Sequence, residues 1–238
     1  MAQRGILPLR PLVLCAAAVL CALPGRSLAG EATEGPVAQV VRRLEARYRE
    51  AKSFRAVFFE RRSEGQRSMH AESGTLYLRR PGMMRWDYEE PEKKLFLVDG
   101  KYVWFYVPAD RTVTKAPVRE SDDEQLPLLL LAGKTRLNKV CRRIELADVH
   151  VEAAGNTALR CLPVRGAEQQ YREAVFEVDA ADHLVRLLVR EAGDVETEFR
   201  FGKWEENPAV PASLFKFTPP IGATIVDERT LVGNPEAR

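Results

Sequence analysis

The chain is poor in the residues that perform chemistry. Its three histidines, His70, His150 and His183, stand far apart, with no pair at i,i+4 and no Glu-x-x-His arrangement. That excludes the helical His-pair metal sites and leaves no general base beside a nucleophile. No Gly-x-Ser-x-Gly elbow, Walker loop or dinucleotide fingerprint occurs. Carboxylates are plentiful, but Glu89, Glu90 and Glu92 surround Pro91 as in a solvated turn. Asp122, Asp123 and Glu124 fall at an expected helix start, where they complement the dipole and need no other role. Neither catalysis, a metal nor a cofactor is expected. Net charge is also nearly absent, at +2 with 36 basic and 34 acidic residues mixed along the chain. Such mixing argues against nucleic acid as a partner.

Cysteine is scarce, and half of it falls in what reads as an export signal. Arg4 and Arg10 precede an apolar stretch from Leu12 to Leu23, too short to span a bilayer, and Ser27-Leu28-Ala29 supplies the small residues a signal peptidase requires. Cleavage after Ala29 removes residues 1–29, three arginines and no acids, so the formal charge falls from +2 to −1. Cys15 and Cys21 each follow a leucine rather than a small residue, which argues against a lipid-anchored product. Residues 30–238 read as one domain, with no linker long enough to divide them, no repeat and no low-complexity tract. Cys141 and Cys161 remain. In an oxidising compartment a lone pair favours a disulfide over a metal site, although spacing alone leaves the pairing open.

What is present is strand, and more apolar surface than one sheet face can use. Val37, Val40, Val41, Leu44 and Tyr48 form one helical stripe between Pro36 and Ala51. Period-two segments follow at 54–60, 74–80, 84–88, 94–98, 102–107 and 111–116, with Asp99-Gly100 and Pro108-Ala109-Asp110 as tight connections. Ser121 to Glu124 resembles a capping box before Leu126-Pro127-Leu128-Leu129-Leu130-Leu131, a short helix apolar all round. Further strands are expected at 144–153, 157–164, 173–178, 184–191, 195–204 and 215–220. The fold class is therefore mainly β (α+β), one large antiparallel domain with a few helices.

The segment from Arg79 to Tyr106 carries most of the information. Tyr102, Trp104 and Tyr106 lie on one face of a strand and Val103, Phe105 and Val107 on the other, so both faces need cover. Phe54, Phe58, Trp86, Trp104 and Phe199 would each serve any β core. Together with the helical stripe and the leucine run, they point to a greasy cavity. Arg80 is in phase with Leu76 and Leu78, which would turn its charge toward the apolar side and require carbonyl partners there. If the strand ends before Pro81, Arg80 is simply exposed; the pattern leaves both open.

The run Phe54-Arg-Ala-Val-Phe58, the block Gly74 to Trp86 with Arg80-Pro81, then Pro91, Asp99-Gly100, Trp104, Tyr106 and Phe215-Lys-Phe217-Thr218-Pro219-Pro220 resembles the LolA family over essentially the whole expected mature chain. The resemblance implies an incomplete, curved antiparallel β-barrel with a lid of short helices over a hydrophobic cavity. It implies a periplasmic, monomeric carrier that binds the acyl chains of lipoproteins released from the inner membrane. A LolCDE-type transporter would load it, and a LolB-type acceptor, where present, would receive the cargo at the outer membrane. Arg80 matches a lid-contacting arginine. Val40, Val41, Leu44, Tyr48, Phe58, Met84, Trp86, Trp104, Leu128, Leu129, Leu130 and Leu131 match lid or cavity positions. Met83-Met84 departs from a bulkier aromatic pattern, and the Cys141/Cys161 pair is not a general family feature. The competing reading is a binding module of the same fold for another lipid or glycolipid, or a sensor of envelope lipoproteins.

Overall fold

The computed structural model describes residues 35–65, 68–118, 130–131, 133 and 135–227. The expected leader, the capping box at Ser121 to Glu124, and Leu128 and Leu129 lie outside the described residues. Helix α1 (Pro36–Glu50) precedes strands β1 (Ser53–Glu64), β2 (Ser68–Arg79), β3 (Met83–Glu90), β4 (Lys94–Val98), β5 (Tyr102–Val107) and β6 (Thr112–Pro117). A one-turn helix α2 (Leu137–Val140) leads into β7 (Cys141–Leu146), β8 (Thr157–Pro163), β9 (Glu173–Val178), β10 (Leu184–Arg190), β11 (Val195–Glu206) and β12 (Thr224–Asp227).

Among the described residues, twelve strands form one sheet, in the order β12-β6-β5-β4-β3-β2-β1-β11-β10-β9-β8-β7. It is an open, curved sheet. Neighbours run antiparallel except β12, which lies parallel to β6. Long strands β1 and β11 join the two meanders, from Phe54 opposite Glu206 to Glu64 opposite Val195. A bulge between Arg55 and Val57 interrupts their register, and such an extra residue bends a strand. A second irregularity lies between Ser73 and Gly74 of β2. There a Cβ on Gly74 would stand 1.9 Å from the Asp87 carbonyl oxygen, so only glycine admits that approach.

Helix α1 forms where the stripe requires it. Pro36 occupies its first turn, where a missing N–H costs nothing, and Arg47 and Arg49 sit in the last turn facing the negative end of the dipole. Val40, Leu44 and Tyr48, one turn apart, are its buried residues. They pack on the face of the sheet formed by Phe54, Phe58, Leu76, Leu78, Met84 and Trp86. The register carries this inner face across strands, through Phe58–Phe201 and Glu60–Phe199 to Leu187–Phe199, Phe176–Leu187, Leu159–Phe176 and Ile144–Cys161.

The outer face is covered in two patches. Leu95, Leu97, Trp104 and Val113 pack with Phe215, Leu214 and Phe217 from the segment after β11. That segment is not the strand expected at 215–220. It passes through a 3-10 turn at Ala212–Phe215 and lies over the sheet as a strap, and the last described strand is β12 instead. Proline at 219 and 220 removes two N–H donors that a ladder would need. Likewise β7 ends at Leu146 instead of running to Ala153. Val149 and Val151 fold over Ala158, Val175 and Leu188. The Glu177 carboxylate holds that loop by accepting from Glu152 N–H and Asn156 Nδ2, both at 2.6 Å. His70 lies within β2 and is exposed.

Candidate functional site: the roofed inner face

Sequence-matched residues from distant parts of the chain meet on the inner face. Val40, Leu44, Tyr48, Phe58, Met84, Trp86, Leu130 and Leu131 belong to one buried cluster, with Val41 partly buried against it. Its aromatic centre is Trp86, whose ring lies 4.8 Å from Phe58, 5.6 Å from Phe199 and 6.0 Å from Phe201, all edge-on. Edge-to-face contacts of this kind add about 0.5–1.5 kcal/mol each beyond burial.

Trp104 does not join them, and its assignment to the cavity is corrected. It pairs across β4 and β5 with Leu97 on the outer face, donates its indole N–H to Asp99 Oδ2 at 2.8 Å and contacts Phe217 at 5.6 Å. Strand alternation separates Trp104 from Phe105, but only the strap shows which face each takes. Part of the two-sided apolarity therefore serves the strap. Phe105, on the inner side, is 36% exposed.

Arg80 follows β2 and reaches beneath the leucine turn. Its Nη1 donates to the Leu131 carbonyl at 3.1 Å. Among the described residues, Nε and Nη2 are buried without a partner. Burial pulls the guanidinium down to about 10, with the nearby Tyr48 opposing that shift. A buried charge with two idle donors is costly and is held weakly by one bond.

Helix α1 is fastened more fully. The Tyr48 hydroxyl accepts from Leu184 N–H at 3.1 Å, and burial pushes this phenol well above its ordinary value. Arg43 Nε donates to Asp182 at 2.9 Å, and Arg47 Nη2 pairs with Glu206 at 2.8 Å. The Glu45 carboxylate accepts Leu137 N–H at 2.6 Å, tying α1 to α2. Arg47 Nη2 also donates to His183 Nε2 at 2.5 Å, which leaves Nδ1 as the donor to Asp179 Oδ2 at 3.1 Å. The His183 ring stacks on Trp204 at 6.0 Å. His183 is thus a half-buried anchor; nothing local in the sequence signals a partner 136 positions away.

At the other end of the inner face, Tyr88 donates to Glu60 at 2.9 Å, and Lys94 pairs with Glu72. Burial raises Glu60, partly offset by the Tyr88 hydrogen bond. Cys141 and Cys161 are joined by a disulfide with Cα atoms 5.3 Å apart, stapling the edge hairpin. Among the described residues no group of His, Cys, Asp and Glu could hold a metal, and no helix is long and apolar enough to cross a membrane.

An open sheet with one face apolar across nine strands, roofed by an amphipathic helix and a leucine turn, has the form of a module that binds apolar ligands. The pattern of the family described as outer membrane lipoprotein carrier protein LolA matches residues 49–218. The chain belongs to the LolA family. An outer-membrane lipoprotein carrier protein of Dechloromonas aromatica is 32% identical over 166 residues, covering 70% of this chain and 76% of that protein. One from Xanthomonas campestris is 32% identical over 160 residues, covering 66% and 72%. In fold, an uncharacterized conserved protein of Thermus thermophilus superposes with a TM-score of 0.50 at 13% identity, over 80% of this chain and 98% of its own.

Proposed function

We propose that this protein works in the periplasm as a carrier, shielding the acyl chains of lipoproteins from water between the inner and outer membranes. The observation that carries the reading is the continuous apolar inner face beneath α1 and the Leu130–Leu131 turn, in a chain of the LolA family. Each methylene exposed to water costs about 0.8 kcal/mol, so an acylated protein needs such a surface to leave a membrane. The contact is non-covalent. Residues 1–29 would serve as the export signal. A LolCDE-type transporter would load the cargo by displacing the turn, and a LolB-type acceptor would take it.

In this scheme Val40, Val41, Leu44 and Tyr48 form a wall. Phe58, Met84 and Trp86 form the floor, and Leu130 and Leu131 belong to the lid. The Arg80–Leu131 bond favours the closed, empty state, so opening draws on cargo-binding energy and keeps affinity low enough for release. Native mass spectrometry of protein purified from its own periplasm tests the reading. Co-purifying acylated protein is the expected result, and free glycolipid alone would replace it with the glycolipid-carrier reading.

A further inference from the structure

The turn over Arg80 closes through a residue that no side chain could replace. Gly133 has φ +65°, and its N–H donates to Leu130 O at 2.8 Å. A Cβ placed there would stand 2.4 Å from Arg80 Cζ, 2.5 Å from Arg80 Nη2 and 2.6 Å from the Tyr48 carbonyl oxygen. All three distances are far inside van der Waals contact. Two of the atoms belong to the guanidinium already bonded to Leu131, and the third is backbone at the end of α1, which cannot swing aside. We propose that Gly133 is the positioning residue of the lid: its missing side chain is the seat into which Arg80 and the Tyr48 carbonyl fit when the turn is down. Any Cβ at 133 props the turn off both and leaves the inner face open. The inference rests on reading that face as an apolar binding site, but not on which acyl cargo it takes.

The test is the affinity of the full-length mature protein for a fluorescent fatty acid, used as a cargo-independent probe. Gly133→Ala should tighten probe binding by about tenfold or more, because the closed state competes with the probe and is lost. Gly133→Asn separates space from strain, since asparagine tolerates positive φ yet carries a Cβ. If collision is the cause, Asn acts as Ala does. If Asn behaves as wild type, strain alone was at work and the proposal is wrong. In the Arg80→Leu background, Gly133→Ala should add less than it does alone, a non-additivity that general destabilisation would not produce. Should Gly133→Ala fail to fold, hydrogen exchange on the wild-type protein decides. The Gly133 amide should exchange through a local opening well before the Leu44 amide of α1, and equal protection at both would overturn the proposal. Unchanged probe affinity in both glycine variants overturns it as well. Failure to find acylated cargo would leave these readings intact, so the two claims fail separately.

Discussion

Helix α1 and the Leu130–Gly133 turn cover the same inner face but are held there differently. The helix buries Val40, Leu44 and Tyr48, adds the Tyr48–Leu184 hydrogen bond, and is tied down along its flank by Arg43, Glu45 and Arg47. The described part of the turn buries Leu130 and Leu131 and has one side-chain hydrogen bond to the sheet side, from a desolvated arginine. Apolar packing is non-directional and survives sliding, whereas a distributed polar fastening fixes position. Under the proposed function, this contrast makes α1 the fixed wall and the turn the part that moves.

The largest effect should come from breaking the wall. Leu44, with no exposed surface, is central to the α1 contact, and Leu44→Ala should cost about 2–5 kcal/mol in urea unfolding. A loss below about 1 kcal/mol would mean that α1 is itself loosely docked. Next comes the edge staple. Replacing Cys141 and Cys161 together with serine frees a 20-residue separation, which chain-entropy arguments value at about 3 kcal/mol. Thermal unfolding should register that loss while probe binding to the inner face stays unchanged.

Acid should loosen the sheet before it reaches the lid. Burial tends to raise Glu198, but Arg186, Arg200 and Arg61 outweigh it and hold the carboxyl below the ordinary range. Glu173 is likewise held down, by Arg190 and Arg160 against its own burial. A depressed folded-state value means stability fully present above the unfolded value and lost as pH falls through the folded one. Glu60, raised by burial, acts oppositely: it weighs on the folded state at neutral pH and is relieved as pH falls. Urea midpoints should therefore drop below about pH 4, and Glu198→Gln should flatten that drop. The smallest change in stability belongs to the turn. Arg80→Leu removes one hydrogen bond and one poorly satisfied charge, so the unfolding midpoint should move by less than about 1 kcal/mol. Probe affinity should nevertheless rise. A large stability loss with no change in affinity would make Arg80 a structural pin rather than a latch.

Much of this architecture was legible in the chain because it is periodic. The α1 stripe and most strands follow directly from spacing, and Arg80 was narrowed to a choice between two surroundings. Trp104 was misplaced because alternation separates two faces without naming what covers each. Residues 215–220, which overlap the strap that settles the matter, read as a strand when Pro219 and Pro220 are given too little weight. Arg47–His183 and Arg43–Asp182 were invisible because they join residues more than 130 positions apart without a local pattern. Gly133 could have been suspected as a turn glycine. Its collision with Arg80 and Tyr48 exists only once three segments are brought together.

Photocrosslinking from the two faces of β5 tests the central claim most directly. A benzophenone amino acid in place of Phe105 reports on the inner face, and the same residue in place of Tyr106 reports on the outer one. In living cells the Phe105 position should capture acylated lipoproteins, Tyr106 should not, and capture should vanish for a cargo whose acylated cysteine is replaced. Equal capture from both positions, or undiminished capture of unacylated cargo, would contradict the account.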